Sequence, residues 1–302
     1  METHLLWDFR IAIDLFLGGI GVGAFLYSLY LLFVHKGKYM KQVLTGFILG
    51  PCFVGLGVLV LLTELGRPLR MLSTFINVNP TSVTSWGGFL QFIFIVIGLI
   101  AAFLTIKYGR QSLENTSYSI VVLTGGVFAI AVGFYHGLLL TSVGNPMWMN
   151  GLLPILFFIS SLICGSVFVS LIGNLVGNLV GKVIGGSAYA EVAAANDEAP
   201  LNPIKVVMGL LFIELIIFGL WIISTNYIGL DGKEAFANMI SEYGIYWWTL
   251  VLGVGIILPI IISFFVTKCE KVSKTIIFAL LCFILIGSYS MKHIILYAGQ
   301  IL

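Results

Sequence analysis

Four polar side chains stand where the surrounding sequence is otherwise apolar. Asp14 lies one turn into the first long apolar run, and Tyr135 and His136 lie near the end of the fourth. Glu214 lies about ten residues from either end of the sixth. Tyr and His donate hydrogen bonds, and a carboxylate or an imidazole takes up and releases protons. Such a set suits a ring that carries two carbonyl oxygens and exchanges protons as its redox state changes. Inside a lipid-spanning helix an ionisable group costs roughly 2.5–3.5 kcal/mol at the centre on insertion scales, so it persists where it faces a site or a partner.

The elements that must hold these groups follow from composition. Hydrophobic residues make up 59% of the chain and charged residues 9%. A soluble domain carries about 25% charged residues, so this chain cannot clothe itself in a water-facing surface. About 20 apolar residues span a bilayer as helix. Eight such runs are present, near 11–34, 43–63, 86–106, 118–140, 152–176, 205–224, 245–267 and 275–296. Lipid offers no hydrogen-bond partners, which leaves helices or closed barrels, and these runs are too long and too uniformly apolar for barrel strands. The expected fold is an all-α integral membrane protein of about eight transmembrane helices in two four-helix bundles. Residues 1–180 form the N-terminal bundle, 181–203 a cytoplasmic linker rich in small residues, and 204–302 the helices completing the second bundle. The segment METHLLWDFR has no basic leader and no small-residue cleavage site, so the first run is expected to be retained. The stretch 226–244 is expected to hold a short interfacial helix.

Lys and Arg set the orientation. One set of loops carries Lys36, Lys38, Lys41, Lys107, Arg110, Lys182, Lys205, Lys268, Lys271 and Lys274. The other side carries Arg10, Arg67, Arg70, Lys233 and Lys292. The richer set belongs inside, and an even number of spans then puts both termini outside.

With that orientation the polar residues of the first half share one leaflet. Asp14 sits near the outer end of the first span, and the second ends outward in Glu64, Gly66, Arg67, Pro68 and Arg70. The third begins there with Ser85, Trp86 and Gln91, and the fourth returns with Tyr135 and His136. The inner halves of these spans read as nearly all apolar. The outer cluster is expected to form a quinone headgroup pocket from Asp14, Tyr135 and His136, with an isoprenoid tail in an apolar cleft. Glu64 and Arg67 are further lining candidates, and Glu214 is a proton-path candidate.

Each residue also has a plainer reading. Asp14 pairs with Arg10, four positions earlier on the same face. Glu64 and Arg67 bridge each other. Tyr135 is an interfacial aromatic, and His136 is a satisfied core histidine. Glu214 is a packing hydrogen-bond donor, Lys292 snorkels to the interface, and Trp86, Trp247 and Trp248 anchor their spans there. Cys52, Cys164, Cys269 and Cys282 form no CxxC pair, so no iron–sulfur cluster is expected in this chain. Phe16, Gly19 and Gly23 in the first span match Phe157, Ser161 and Gly165 in the fifth. Such small-residue pairs let helices approach closely, and they are also compatible with a duplicated unit.

Four stretches resemble the NrfD family, which includes the membrane subunit of polysulfide reductase. They are FLGGIGVGAF at 16–25, TELGRPLRML at 63–72, TSWGGF at 84–89 and, across 135–165, YHGLLL, PMW, LPILFF and Gly165. The motifs cover the first five spans, and the second half matches in hydropathy and helix number. The resemblance implies a multi-pass subunit of the bacterial cytoplasmic membrane in anaerobic respiration. Such a subunit binds menaquinone or ubiquinone and passes electrons to or from a docked ferredoxin-like iron–sulfur subunit. That partner connects to a molybdopterin catalytic subunit, or to a cytochrome, on the outer face. Carried over by position, Asp14, Tyr135 and His136 are pocket candidates and Arg67 lies near the docking surface. No haem and no nucleic-acid partner is expected.

Other classes stay open on the sequence. A multi-span transporter fits the possible repeat, although no pair of spans shows clear mid-helix breaks. A b-type haem anchor needs two facing histidines, and only His136 and His293 lie within spans. A purely structural anchor leaves the insertion cost of Asp14 and His136 without a reason.

Overall fold

The computed structural model describes residues 7–36, 38–63, 81–108, 115–184, 201–227, 229–268 and 273–300. Among them every regular element is helical: α1 (Phe9–Val34), α2 (Met40–Leu62), α3 (Val83–Tyr108), α4 (Thr116–Thr141), α5 (Leu152–Ile184), α6 (Leu201–Tyr227) and α7 (Leu230–Tyr246). A π-helical stretch follows at Trp247–Ile257, then α8 (Leu258–Val266) and α9 (Lys274–Ala298). Eight helical segments are long and apolar enough to cross a membrane, as the sequence predicts. Of the expected linker 181–203, only the ends are described, as the last residues of α5 and the first of α6.

Local chemistry explains several boundaries. Asp8 caps α1 by accepting from Arg10 N at 2.8 Å. Asn115 caps α4 by accepting from Ser117 N and Tyr118 N, and Ser273 caps α9 by accepting from Thr275 N. Each supplies an acceptor to amides that the first helical turn leaves without partners. Pro51 lies inside α2, and a Cβ built on Gly98 of α3 would lie 3.1 Å from its ring. The neighbouring helix thus offers the proline a hollow.

The seventh span is longer than the sequence predicts, because the helix expected within 226–244 forms as α7 (Leu230–Tyr246) and runs on into the span without a break. Leu230–Val266 is one continuous helical segment of 37 residues that changes to π geometry in its middle. At 1.5 Å per residue it is roughly 55 Å long, well beyond a hydrocarbon core of about 30 Å. Trp247 does not face outward as an anchor would. It is fully buried, stacked on Phe218 with ring centroids 5.2 Å apart and packed against Trp221. Trp248 is exposed, as an anchor would be.

The outward faces are apolar, with Phe103, Val127, Ile216 and Phe265 each more than half exposed. α1 is the central element and packs on α2, α4, α5 and α9. Its crossing with α5 is the one that the matched small residues anticipate. A Cβ on Gly23 would overlap the Ser161 carbonyl, and one on Gly165 would overlap the backbone of Gly23 and Ala24. Gly255 in the π stretch and Gly287 of α9 meet in the same way.

The end of the bundle where α1 starts, called the upper end, is tied across the chain. Trp7 N donates to Gln300 Oε1 at 2.9 Å, and Gln300 Nε2 donates back to Trp7 O at 3.0 Å. The Trp7 and Trp148 rings stack at 5.4 Å, Trp148 Nε1 donates to Ile295 O, and Asn145 Nδ2 donates to Gly299 O.

Candidate functional site

The polar side chains of the upper end are held in hollows that glycines leave on facing helices. A Cβ built on Gly57 of α2 would lie 2.6 Å from Asp14 Oδ1. One on Gly18 of α1 would lie 2.6 Å from His136 Cε1 and 2.7 Å from its Nε2. One on Gly87 of α3 would overlap the Tyr135 ring. The Asp14 carboxyl is close enough to the Tyr135 hydroxyl to act on it electrostatically. Four helices therefore bring Asp14, Tyr135 and His136 into one buried cluster, as the parity of the spans predicts.

What sets the cluster apart is its unmet hydrogen bonding. Asp14 and His136 are 2% and 1% exposed. Asp14 Oδ1 and both ring nitrogens of His136 have no hydrogen-bond partner among the described residues. Gln91 Nε2, one helical turn below Gly87, is equally unmatched. A buried polar group without a partner costs about 1–3 kcal/mol, and native interiors match nearly all such groups. Four such atoms accumulate here among the described residues: Asp14 Oδ1, His136 Nδ1 and Nε2, and Gln91 Nε2.

The lower half supplies the contrast, and it departs from the expectation of a nearly apolar interior. Ser28 Oγ donates to Gln42 O, and Gln42 Nε2 donates to Asn174 Oδ1 at 2.9 Å. Thr45 Oγ1 donates to Lys41 O or Gly173 O, and Thr105 Oγ1 lies 2.9 Å from the Tyr118 hydroxyl. Those groups tie α1, α2 and α5 together, and α3 to α4. Gln42 Oε1, His35 Nε2 and Ser263 Oγ are left over there among the described residues, on three different helices or their ends.

One group from the second half, Lys292, approaches the cluster, and Glu214 is close enough to Lys292 to interact with it. Lys292 of α9 does not snorkel. It is 1% exposed, and its Nζ lies 2.7 Å from where a Cβ on Gly19 would stand. The same Nζ lies 5.9 Å from the Phe16 ring centroid and 5.8 Å from that of Phe157. It has no hydrogen-bond partner among the described residues. Glu214 is 5% exposed and within hydrogen-bonding reach of Ser160, whose Oγ donates to Ser288 Oγ at 2.9 Å. These three residues line a cavity of about 10 Å³, with Val251, Gly255 and Met291 among its other walls. That is about the room one water molecule needs.

The plainer readings divide. Arg10 is engaged by Asp8, with Nη2 to Oδ2 at 2.7 Å, and donates to Thr63 O, so Asp14 is not accounted for by Arg10. That contact holds the Asp8 carboxyl below its usual range, chiefly through the Arg10 side-chain hydrogen bond. Tyr135 is 6% exposed and packed against α3, so its ring faces the bundle and not the outer surface. His136 is buried but not satisfied. Trp86 is exposed. His293 lies in a ring stack on α9 between Tyr289 and Tyr297. Glu64 and Arg67 lie outside the described residues. Among the described residues no group of three or more His, Cys, Asp or Glu could hold a metal ion. Sequence reasoning missed Lys292 as a member of this neighbourhood. The signal that could have found it is the pair Gly18–Gly19, two adjacent hollows on α1 that need two side chains to fill them.

Fold and site together define a multi-pass helical membrane protein with an enclosed, unsatisfied polar cluster at one end. The profile of the family described as "Polysulphide reductase, NrfD" matches residues 1–302, so the chain belongs to that family. Its relatives include "Protein NrfD homolog" of Haemophilus influenzae, 27% identical, covering 99% of this chain and 95% of the relative. The C subunit of polysulfide reductase from Wolinella succinogenes is 26% identical over 98% of this chain and 95% of its own length. "Protein NrfD" of Escherichia coli is 27% identical over 98% of this chain and 96% of its own length.

Proposed function

We propose that this chain is the quinone-binding membrane subunit of a respiratory oxidoreductase complex in a bacterial cytoplasmic membrane. The observation that carries the reading is the set of unmatched atoms, Asp14 Oδ1 and both His136 nitrogens, gathered beside Tyr135 among α1–α4. A quinone, menaquinone or ubiquinone, supplies two-electron, two-proton redox chemistry when bound. The residues fit it. Tyr135 and His136 present donors to ring carbonyl oxygens, and Asp14 and His136 take up or deliver the protons. Burial keeps bulk water from the exchange.

Family membership supports a place in a larger assembly, since the Wolinella relative is named as one component of a reductase. In this reading electrons pass between the pocket and a docked ferredoxin-like iron–sulfur subunit, itself joined to a molybdopterin enzyme or a cytochrome. Glu64 and Arg67 join the pocket and the docking surface on sequence grounds alone. Glu214, on its small cavity, is a proton-path station. The chain is arranged as two four-helix bundles with both termini on the outer side, where the partner docks.

Titrating the purified chain with a fluorescent quinone-site inhibitor tests the pocket. Saturable one-site quenching is expected, weakened about tenfold in Tyr135→Phe or His136→Ala, the size of one lost buried hydrogen bond. No saturable binding in a folded sample would turn the reading down. Substrate-dependent uptake into vesicles by the chain alone would then favour the transporter.

A further inference from the structure

Lys292 has no part in the mechanism above, yet it is the least expected side chain in the molecule. A buried amine is costly unless an acceptor or a counter-charge meets it. α1 presents Phe16 and Gly19 to it, and α5 presents Phe157 and Ser161, whose Oγ already donates to Phe157 O. The titratable groups close enough to interact with it electrostatically are His136 on α4, Glu214 on α6 and Cys164 on α5. None of these is its hydrogen-bond partner.

The placement is specific. Gly18 and Gly19 are consecutive, and His136 stands in the first hollow while Lys292 stands in the second. An imidazole arriving from α4 and an amine arriving from α9 therefore flank the same turn of α1. All three of their nitrogens are unmatched. Glu214, close enough to the amine to interact with it, shares a small cavity with the hydrogen-bonded Ser160–Ser288 pair.

Resting on the quinone-site reading, we propose that Lys292 is a further residue of the headgroup site, a buried cation that faces the ring oxygens from the hollow next to that of His136. Glu214 balances its charge when the site is empty. Opposite charges attract far more strongly in a dry interior than in water. The ligand class this arrangement selects is an acidic hydroxyquinone, bound as its anion, in preference to a neutral ring of the same size. The second half of the chain thus contributes to a site otherwise built from the first.

The test compares two probes on the purified full chain, a hydroxynaphthoquinone, anionic at neutral pH, and its neutral methoxy analogue. Wild type is expected to bind the anion at least about tenfold more tightly, a difference of about 1.4 kcal/mol. Lys292→Gln should abolish that preference while keeping saturable binding of the neutral probe, and Lys292→Arg should retain the preference. Equal weakening of both probes in Lys292→Gln, or no preference in wild type, would overturn the role of Lys292 and leave the quinone pocket standing. Saturable binding of neither probe by wild type would overturn both. Should Lys292→Gln not give monodisperse protein, wild type and Lys292→Arg decide, and loss of the preference in either overturns the proposal.

Discussion

His136 of α4 stands in the hollow of Gly18 of α1, with Nε2 2.7 Å from where a Cβ on that glycine would be. The imidazole can sit deep in the bundle only because that carbon is missing. The FLGGIG stretch is therefore part of the site's geometry as well as a helix-packing surface.

Adding the missing carbon should expel the ring. Gly18→Ala is expected to fold and to lose about tenfold or more in quinone-site inhibitor affinity, in line with overpacking costs of about 1–3 kcal/mol. Gly209→Ala on α6, where a Cβ meets nothing within 4 Å, serves as the control and should stay within about twofold. A quenching titration on both variants decides. Equal affinities would detach Gly18 from the pocket.

The α1–α5 crossing should be far less forgiving, because its neighbour is backbone and cannot rotate away. Gly23→Leu is expected to destabilise the protein by about 3 kcal/mol or more, seen as a lower melting temperature in detergent. Gly55→Ala, whose Cβ would meet only the Ile95 side-chain tip at 3.8 Å, should melt near wild type.

Trp247 and Trp248 are adjacent and should behave oppositely. Trp247→Ala empties a fully buried stack against Phe218 and Trp221 and should cost about 3–5 kcal/mol. Trp248→Ala, on the exposed face, should cost about 1 kcal/mol or less. Melting curves of the two variants measure the difference, and equal losses would count against the continuous seventh helix.

The Asp8–Arg10 pair predicts a small acid-sensitive term. The Asp8 carboxyl is held below its usual value in the folded protein, chiefly by the Arg10 side-chain hydrogen bond. Its contribution is thus fully present above the unfolded value of about 3.9 and is lost as the pH falls through the lower, folded value. Both partners are partly exposed, so the effect belongs to the class of weak surface pairs, under about 1 kcal/mol. Asp8→Asn keeps an N-cap acceptor but not the charge. Its melting temperature should fall less steeply than that of wild type between about pH 5 and 3.

Hydropathy locates the spans because a bilayer imposes one length on every crossing helix. The parity of those spans is enough to gather Asp14, Tyr135 and His136 at one end, since each crossing reverses direction. It cannot say which helix faces will meet. Lys292 reads as a snorkelling residue because its depth is legible and its azimuth is not. Trp247 reads as an anchor because aromatic pairs at a helix end usually are, and the 17 helical residues preceding it are too polar to register as part of a span. The lower polar residues are hidden because Ser, Thr and Asn hydrogen-bond across a crossing without disturbing a hydropathy run. The glycines hold more information than their role in close packing suggests. Gly18, Gly57 and Gly87 mark where His136, Asp14 and Tyr135 must go, but that is readable only once the partner helices are known.

The reciprocal bonds between Trp7 and Gln300 join residues 293 positions apart. During synthesis the first helix is made long before its partner at the other end of the clasp exists. At 5–20 residues per second the delay is roughly 15–60 s. For that interval α1 also lacks the amine that fills its Gly19 hollow. The nascent chain therefore waits in the bilayer with its central helix uncovered on one side, and α9 closes it. Premature termination before α9 would release an inserted but open intermediate, which is the species membrane quality control would meet.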